Sequence, residues 1–255
     1  MYDLAALEAA LTETIFAGKL HFASVTGSTN SDALAAARAG APHGSVWFAD
    51  EQSAGRGRGG HAWQSVAGEG LYVSVLLRLT LSPDRLLLLP LATGLAAVEA
   101  IRAVSRLDID LRWPNDLLIG ARKTGGILVE AHSSSAAVVG IGINVHQRSF
   151  DPGLATPATS LDLAAGRPVS RQALLITLLQ RLEHEANGLL SADTAAQIPT
   201  RIEAASSWVR GRKMVVHGPQ ACTGVTAGLD DHGFLRVETA NGLVTVQTGG
   251  IREAE

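Results

Sequence analysis

One stretch, residues 112–130 (RWPNDLLIGARKTGGILVE), restricts the fold of this chain more than any other. Pro114 has no backbone N–H to donate into a ladder, so a strand that arrives there must end. The apolar runs 117–119 and 127–129 indicate two short strands. Gly120-Ala121 between them is a two-residue connection with glycine first, which is typical of a type II′ hairpin turn. The stretch therefore predicts a β-hairpin.

A basic pair follows the turn of this hairpin, and a pair of glycines follows the basic pair. Lys123 supplies a compact positive charge, while Gly125 and Gly126 let a backbone approach a ligand closely. An ordinary hairpin with a solvated basic pair is the alternative interpretation of these residues. In that interpretation, Asn115 and Asp116 only organise the turn. The hairpin by itself does not decide between these interpretations.

The whole combination is more specific, because it resembles the signature of the biotin protein ligases. That signature is usually written K-W-P-N-D followed by R-K-x-x-G-I-L-x-E, and Arg112 stands here where lysine is commoner. The resemblance implies an α+β fold in which helices flank a central mixed β-sheet, as in class II synthetases. It also implies a small C-terminal SH3-like β-barrel.

Hydrophobic periodicity along the chain agrees with an α+β fold. Helices are predicted over residues 3–17, 33–39, 83–104, 171–190 and 193–204, and strands over residues 21–25, 45–50, 71–77 and 136–145. Four further short strands, at 213–216, 223–229, 234–238 and 243–248, are separated by turn signals and suit a small barrel. We therefore predict a catalytic domain at residues 1–205 and a barrel domain at residues 206–255.

Composition limits where such a chain works and what it binds. A net charge of −3 gives no basic field for nucleic acid, and one cysteine, Cys222, fits a reducing compartment. The N-terminal residues resemble no signal peptide, and no apolar run is long enough to span a bilayer. We expect a cytoplasmic protein that binds neither DNA nor membrane, since only one helix precedes the first strand where the DNA-binding relatives carry a whole domain. The sequence does not fix the oligomeric state, but relatives often form homodimers through the central sheet, and the resemblance therefore implies a possible homodimer here.

Small polar residues precede the second predicted helix. Ser28, Thr29 and Asn30 include hydroxyls that both donate and accept, which suits the urea-like ring of biotin. A helix cap explains one such residue equally well. The resemblance assigns this Ser-Thr-Asn element, together with Gln52, to the ureido group.

A glycine- and arginine-rich loop, residues 55–60 (GRGRGG), follows the second predicted strand. It formally matches a dinucleotide fingerprint, but a strand rather than a helix comes next, so we reject that fold. Arg56 and Arg58 suit phosphates, although a disordered surface loop is the alternative. Trp63 matches a tryptophan of the family and is assigned to adenine stacking or, alternatively, to the core. His61 stands where the family often has another arginine.

Strand residues 136–145 contain Gly140, Gly142 and Asn144 on one face. A smooth face that ends in an amide suits a flat ring. Close strand packing with a capping asparagine is the alternative, and the resemblance assigns the element to the adenine side.

The resemblance implies that the chain forms biotinyl-5′-AMP from biotin and ATP, with Mg²⁺, and then biotinylates a lysine of biotin carboxyl carrier protein. Arg58 and Lys123 would act on the α-phosphate and acyl oxygen, and Asp116 would bind or deprotonate the acceptor lysine unless it only organises the turn. Biotin contacts are assigned to Ser28, Thr29, Asn30, Gln52, Gly55, Arg56, Arg58, Lys123 and Gly126, and adenylate contacts to Arg56, Arg58, Trp63, Asn115, Lys123 and Asn144. Metal ligands are not predicted. The alternatives are a lipoate or octanoate ligase and a non-catalytic regulator that senses biotinyl-AMP.

Overall fold

The computed structural model of the chain describes residues 2–133 and 135–254. Its helices are α1 (Leu4–Ala10), α2 (Thr29–Arg38), α3 (Pro83–Leu87), α4 (Leu89–Ser105), α5 (Leu161–Ala165), α6 (Arg171–Gly188), α7 (Ala192–Ala195) and α8 (Ile198–Ala205). Its strands are β1 (Leu20–Thr26), β2 (Ser45–Gln52), β3 (Gly70–Arg78), β4 (Asp110–Arg112), β5 (Asp116–Ile119), β6 (Arg122–Ser133), β7 (Ala136–Asn144), β8 (Arg210–His217), β9 (Cys222–Leu229), β10 (Leu235–Thr239), β11 (Gly242–Val246) and β12 (Gly250–Glu253).

The larger sheet has the strand order β1-β2-β3-β7-β6-β5-β4. The β1–β2 pair is parallel and the other neighbouring pairs are antiparallel, so the predicted mixed sheet and α+β class are confirmed. Side chains of β3 alternate between two apolar clusters. Val75 and Leu77 belong to the main core with α4 and α6, whereas Leu76 packs with Ala33 and Ala37 of α2 on the opposite face. Helices therefore cover both faces, which explains why the central strands are apolar throughout.

The first helix is shorter than predicted, because α1 ends at Ala10 instead of residue 17. The Thr14 hydroxyl donates to a backbone carbonyl at 2.6 Å and accepts from the Phe16 N–H at 3.2 Å. Such local bonds compete with helical ones, and they convert the apolar periodicity of residues 11–17 into turns.

The predicted helix 83–104 is divided at Leu88 into α3 and α4. Pro90 lies in the first turn of α4, where a residue without an N–H costs no helical hydrogen bond. The apolar pattern continues across the division, and periodicity alone therefore did not reveal it.

The predicted hairpin is confirmed: β5 and β6 are antiparallel and joined by Gly120-Ala121, with Gly120 at φ 58°. The pairing has a bulge, since Leu117 opposes Gly125 whereas Leu118 opposes Lys123. Thr124 is the extra residue. The bulge changes which side chains share a face, with consequences for the site.

The smaller sheet has the order β11-β10-β9-β8-β12 and fits a small SH3-like barrel. The sequence predicted four strands here and missed β12, a short C-terminal strand that pairs with β8. The two sheets share one continuous apolar core. The indole N–H of Trp113 also donates to the carbonyl of Gly233 at 3.0 Å. A division of the chain at residues 205 and 206 stays a prediction.

Across the described ranges, none of the helices has the length and apolar character needed to cross a membrane.

Candidate active site

A cavity lies on the α2-covered face of the large sheet, where β3, β7 and β6 run side by side. Its empty space is about 460 Å³, part of which is open to solvent. The lining residues come from the start of α2, the end of β2, the arginine loop and the segment after it, the β4–β5 turn and the strands: Ser28, Thr29, Asn30, Gln52, Arg56, Gly57, Arg58, Trp63, Tyr72, Val73, Ser74, Asn115, Lys123, Gly126, Ile127, Leu128, Gly140, Ile141 and Gly142.

Uncharged polar groups gather at the start of α2. Gln52 Oε1 accepts from the Thr29 N–H at 2.9 Å and from its hydroxyl at 3.1 Å, while Gln52 Nε2 donates to Ser65 Oγ at 2.8 Å. Ser74 Oγ lies 2.8 Å from Thr29 Oγ1. Ser28 occupies the N-cap position but makes no side-chain cap bond. Its hydroxyl has no hydrogen-bond partner among the described residues although only 3% of the residue is exposed, so it is available to a ligand.

Asn30 connects this polar group to the arginine loop. Its Oδ1 lies 2.6 Å from Ser74 Oγ, and its Nδ2 donates to Glu130 Oε2 at 2.8 Å. The other oxygen of Glu130 accepts from Arg56 Nη2 at 2.5 Å. A Cβ at Gly140 would coincide with the Asn30 amide, so glycine is required there. Asn30 is thus fixed by protein groups, and its contact with biotin stays a prediction.

The indole ring of Trp63 lies on a smooth surface formed by glycines. A Cβ on Gly142 would stand 2.7 Å from the Trp63 ring, and one on Gly126 would stand 3.4 Å from it. Lys123 Nζ lies 5.6 Å from the ring centroid. Trp63 belongs to neither of the hydrophobic clusters found in the described residues, which favours a role in the cavity wall over a core role. Stacking on adenine stays a prediction.

The β6 bulge brings Lys123 into the cavity wall. Lys123 and Gly126 are three positions apart, and a regular strand would place them on opposite faces. The extra residue, Thr124, restores them to one face. The backbone of Lys123 is fixed on its other side, since its N–H donates to the Pro157 carbonyl at 2.8 Å and its carbonyl accepts from the Thr159 N–H at 3.0 Å.

Asp116 holds two cations. Its Oδ1 accepts from Lys123 Nζ at 2.5 Å, and its Oδ2 accepts from Arg112 Nη2 at 2.6 Å and Nε at 3.1 Å. Burial by itself would raise the pKa of the Asp116 carboxyl, but the charges and hydrogen bonds of Lys123 and Arg112 outweigh burial and lower that pKa. A carboxylate with a low pKa is a weak base at neutral pH. The geometry therefore favours Asp116 as a partner for cations over a proton acceptor.

Arg58 reaches across to the barrel. Its Nη1 donates to the Gly249 carbonyl at 2.6 Å, and its Nη2 donates to Thr248 Oγ1 at 3.1 Å. Burial lowers the pKa of the Arg58 guanidinium, and the nearby Asp116 carboxylate partly opposes this. The turn between β11 and β12 therefore helps to place the arginine loop.

The structure brings most of the predicted site residues together. Those in the cavity wall are Ser28, Thr29, Asn30, Gln52, Arg56, Arg58, Trp63, Asn115, Lys123 and Gly126. Gly55, Asp116 and Asn144 are not in that wall: Gly55 packs under the Trp63 carbonyl, and Asn144 Nδ2 donates to the Thr159 carbonyl at 3.1 Å. Their contacts with a ligand, like the roles of the lining residues, stay predictions.

Sequence reasoning gave no role to Ser74, which lies in the cavity wall, or to Glu130 and Arg112, which lie beside it. Ser74 is the one polar residue of the run LYVSVLL, and this interruption was the available signal. Glu130 and Arg112 are both positions of the family signature, but their pairing with Asn30, Arg56 and Asp116 became visible only in the structure.

Within residues 2–133 and 135–254, histidine, cysteine, aspartate and glutamate side chains form no group of three able to hold a metal ion.

Comparison with known proteins agrees with this geometry. A family model described as the biotin/lipoate A/B protein ligase family matches residues 22–147. The chain is 36% identical over 240 residues to a biotin–[acetyl-CoA-carboxylase] ligase from Mycobacterium tuberculosis, covering 89% of this chain and 85% of that protein. It is 32% identical over 239 residues to the bifunctional ligase/repressor BirA from Bacillus spizizenii, covering 91% of this chain and 73% of that protein.

The fold is similar to that of a biotin protein ligase from Aquifex aeolicus that was solved in complex with biotin and ATP. The match has a TM-score of 0.81 and 29% identity, and it covers 93% of this chain and 100% of the other. The similarity therefore extends over both sheets.

Proposed function

The chain belongs to the biotin/lipoate A/B protein ligase family, and from this premise we propose that it is an ATP-dependent biotin protein ligase. In the first step the biotin carboxylate attacks the α-phosphate of ATP, which forms biotinyl-5′-AMP and releases pyrophosphate. In the second step the amine of an acceptor lysine attacks the acyl carbon, forms an amide and releases AMP.

One observation supports this proposal more than any other: a cluster of uncharged polar side chains and a cluster of cationic side chains line the same cavity. The hydroxyls of Ser28, Thr29 and Ser74 can donate to and accept from a ureido ring. Ser28 supports this role most directly, because its hydroxyl is buried without a partner among the described residues. An apolar dithiolane ring, as in lipoate, would leave that hydroxyl unpaired.

The cations explain how two anionic substrates come together. Arg56, Arg58 and Lys123 line the same cavity and offset the repulsion between a carboxylate and a triphosphate. Both nucleophiles belong to the substrates, so the protein contributes positioning and charge stabilisation. We assign Arg58 and Lys123 to the phosphate and acyl oxygens, and Trp63 to the adenine.

The acceptor is a lysine of biotin carboxyl carrier protein in this proposal. A role for Asp116 toward the acceptor amine stays a prediction, because both of its carboxylate oxygens are bonded to Lys123 and Arg112. Mg²⁺ prefers oxygen ligands and is commonly held through substrate phosphates with one or two carboxylates. We therefore expect Mg²⁺ to arrive on the triphosphate. A homodimer and a cytoplasmic location stay predictions.

The test is exchange of labelled pyrophosphate into ATP, measured with biotin, lipoate or octanoate. We expect exchange with biotin alone. Ser28→Ala should raise the KM for biotin while the KM for ATP stays close to that of the wild type. Equal exchange with lipoate would identify the family's other activity. Tight binding of biotinyl-AMP without any exchange would identify a sensor.

A further inference from the structure

Arg112 is buried beside the site without lining it. Only 8% of the residue is exposed, and it stands directly opposite Asp116 in the β4–β5 ladder. Its guanidinium donates to Asp116 Oδ2 through Nη2 at 2.6 Å and Nε at 3.1 Å, and Nη2 also donates to Thr156 Oγ1 at 3.0 Å. Backbone pairing and three side-chain hydrogen bonds thus hold one fixed geometry.

These bonds determine what Asp116 can do. Both donors from Arg112 go to Oδ2, so the carboxylate is held from one side and Oδ1 is directed at Lys123 Nζ, 2.5 Å away. Without Arg112, the carboxylate would be free to rotate and one buried oxygen would lose its partner.

Asp116 in turn determines where Lys123 lies. A lysine side chain is a flexible four-carbon stem with a strongly hydrated end, and it adopts one position only when something holds it. Here the ammonium is held next to Gly126 and 5.6 Å from the centroid of the Trp63 ring, in the wall of the cavity.

We propose that Arg112 is a positioning residue for adenylate formation, acting on Lys123 through Asp116. The proposal rests on the function proposed above. Arg112 touches no substrate. It keeps Asp116 ionised and oriented, and this arrangement places the ammonium where negative charge develops between carboxylate and α-phosphate.

A packing role is the competing explanation, and the chain offers a matched control for it. The guanidinium of Arg112 lies 5.3 Å from the centroid of the Trp208 ring, and that of Arg212 lies 4.4 Å from it. Arg212 forms an ion pair with Glu253 at 3.2 Å and is not bonded to Asp116. Arg212→Met therefore removes a cation from the same ring without touching the carboxylate.

The experiment measures biotin-dependent pyrophosphate exchange for the full-length chain carrying Arg112→Met, Arg112→Lys, Asp116→Asn, the double variant Arg112→Met/Asp116→Asn, or Arg212→Met. Arg112→Met should lower kcat about ten- to hundredfold, the range expected for lost charge-assisted hydrogen bonds, with a much smaller change in the KM for biotin. Arg112→Lys should recover part of the rate, and Arg212→Met should match the wild type.

The double variant decides the mechanism. If Arg112 acts through Asp116, Arg112→Met should cost almost nothing more once Asp116 is already asparagine. Effects that multiply, or wild-type kcat in Arg112→Met, would overturn the proposal. Circular dichroism checks folding, and Arg112→Gln is measured alongside in case the methionine variant does not fold.

A second measurement is independent of activity: titration of the Asp116 carboxyl by ¹³C NMR, with Asp116→Asn identifying the resonance. The charged groups that face Asp116 are Arg112 on β4, Lys123 on β6 and Arg58 on the arginine loop. The last two remain in Arg112→Met, so loss of one cation should move the titration to higher pH. If the Asp116 titration is unchanged in Arg112→Met, the positioning proposal is wrong, whatever the activity of the wild type. If the wild type shows no pyrophosphate exchange, the proposed ligase function is wrong.

Discussion

Replacing Lys123 by glutamine should slow adenylate formation far more than it weakens biotin binding. Glutamine keeps an extended polar side chain but removes the charge from the cavity wall. The ammonium is held 2.5 Å from Asp116 Oδ1, and a neighbouring carboxylate satisfies it before any reaction begins. Its advantage therefore increases only when further negative charge develops nearby, in the transition state.

The size of the effect follows from the number of groups removed. Lys123 provides one donor to developing charge in a partly enclosed site, since its side chain is 28% exposed. Loss of one such donor in other enzymes lowers kcat by about 10²–10³, or about 2.7–4 kcal/mol. Biotin affinity should fall by less than about tenfold, because the polar residues at the start of α2 are unchanged.

Single-turnover quench experiments give the adenylation rate, and titration calorimetry gives biotin affinity. Arg122→Gln is the matched control, because it also replaces a cationic side chain by glutamine, one residue away, at an exposed position outside the cavity wall. It should behave as the wild type. Lys123→Arg, which keeps the charge on a planar group, should retain an intermediate rate.

Normal adenylation in Lys123→Gln would refute this reasoning and leave Lys123 as a structural partner of Asp116. Parallel losses in rate and biotin affinity would also contradict it, because they would show a contact made equally in the ground state and in the transition state.

Two further predictions concern the arginine loop and the helical core. Arg58→Gly should still form biotinyl-AMP but release it about one to two factors of ten faster. The measurements are the dissociation rate of biotinyl-AMP and biotin labelling of an unrelated lysine-rich protein. If the variant retains biotinyl-AMP as long as the wild type does, the arginine loop is not the lid. Arg201→Met should lower the free energy of unfolding by about 3–5 kcal/mol, because the buried Glu185 carboxylate, 3% exposed, loses its two hydrogen bonds from Arg201 at 2.8 and 2.5 Å. The double variant Arg201→Met/Glu185→Met should recover much of this loss, since no unpaired charge is left buried. Denaturant titrations measure both changes.

The central hairpin was predictable because its information is local. Pro114 marks the end of one strand, and Gly120 takes the positive φ that the two-residue turn requires. The cavity was predictable for a related reason, since its residues lie in short motifs at the ends or on the faces of predicted elements. Gly140 and Gly142 show this well: period-two spacing alone places them on one face, where Asn30 and Trp63 now fill the space.

Partners that are distant in the sequence were not predictable. The contact of Arg58 with Gly249 joins residues 191 positions apart, and nothing in either segment indicates the other. The bulge at Thr124 depends on how β5 and β6 pair, and strand periodicity without it would have turned Lys123 away from Gly126. Thr14 shortened the first helix through local hydrogen bonds that compete with an otherwise helical pattern.

The cavity wall contains three cationic side chains, Arg56, Arg58 and Lys123, and their present hydrogen-bond partners indicate which of them should gain most from binding an anion. Arg56 and Lys123 are bonded to carboxylates, so a phosphate oxygen would replace one anion by another. Arg58 donates to a carbonyl and a hydroxyl, which are neutral. A hydrogen bond from a guanidinium is charge-assisted with either kind of acceptor, but only an anionic acceptor adds the attraction between opposite charges. Arg58 therefore gains most by moving from the barrel to a phosphate, and a nucleotide that recruits it would draw the arginine loop away from the β11–β12 turn and over the substrate.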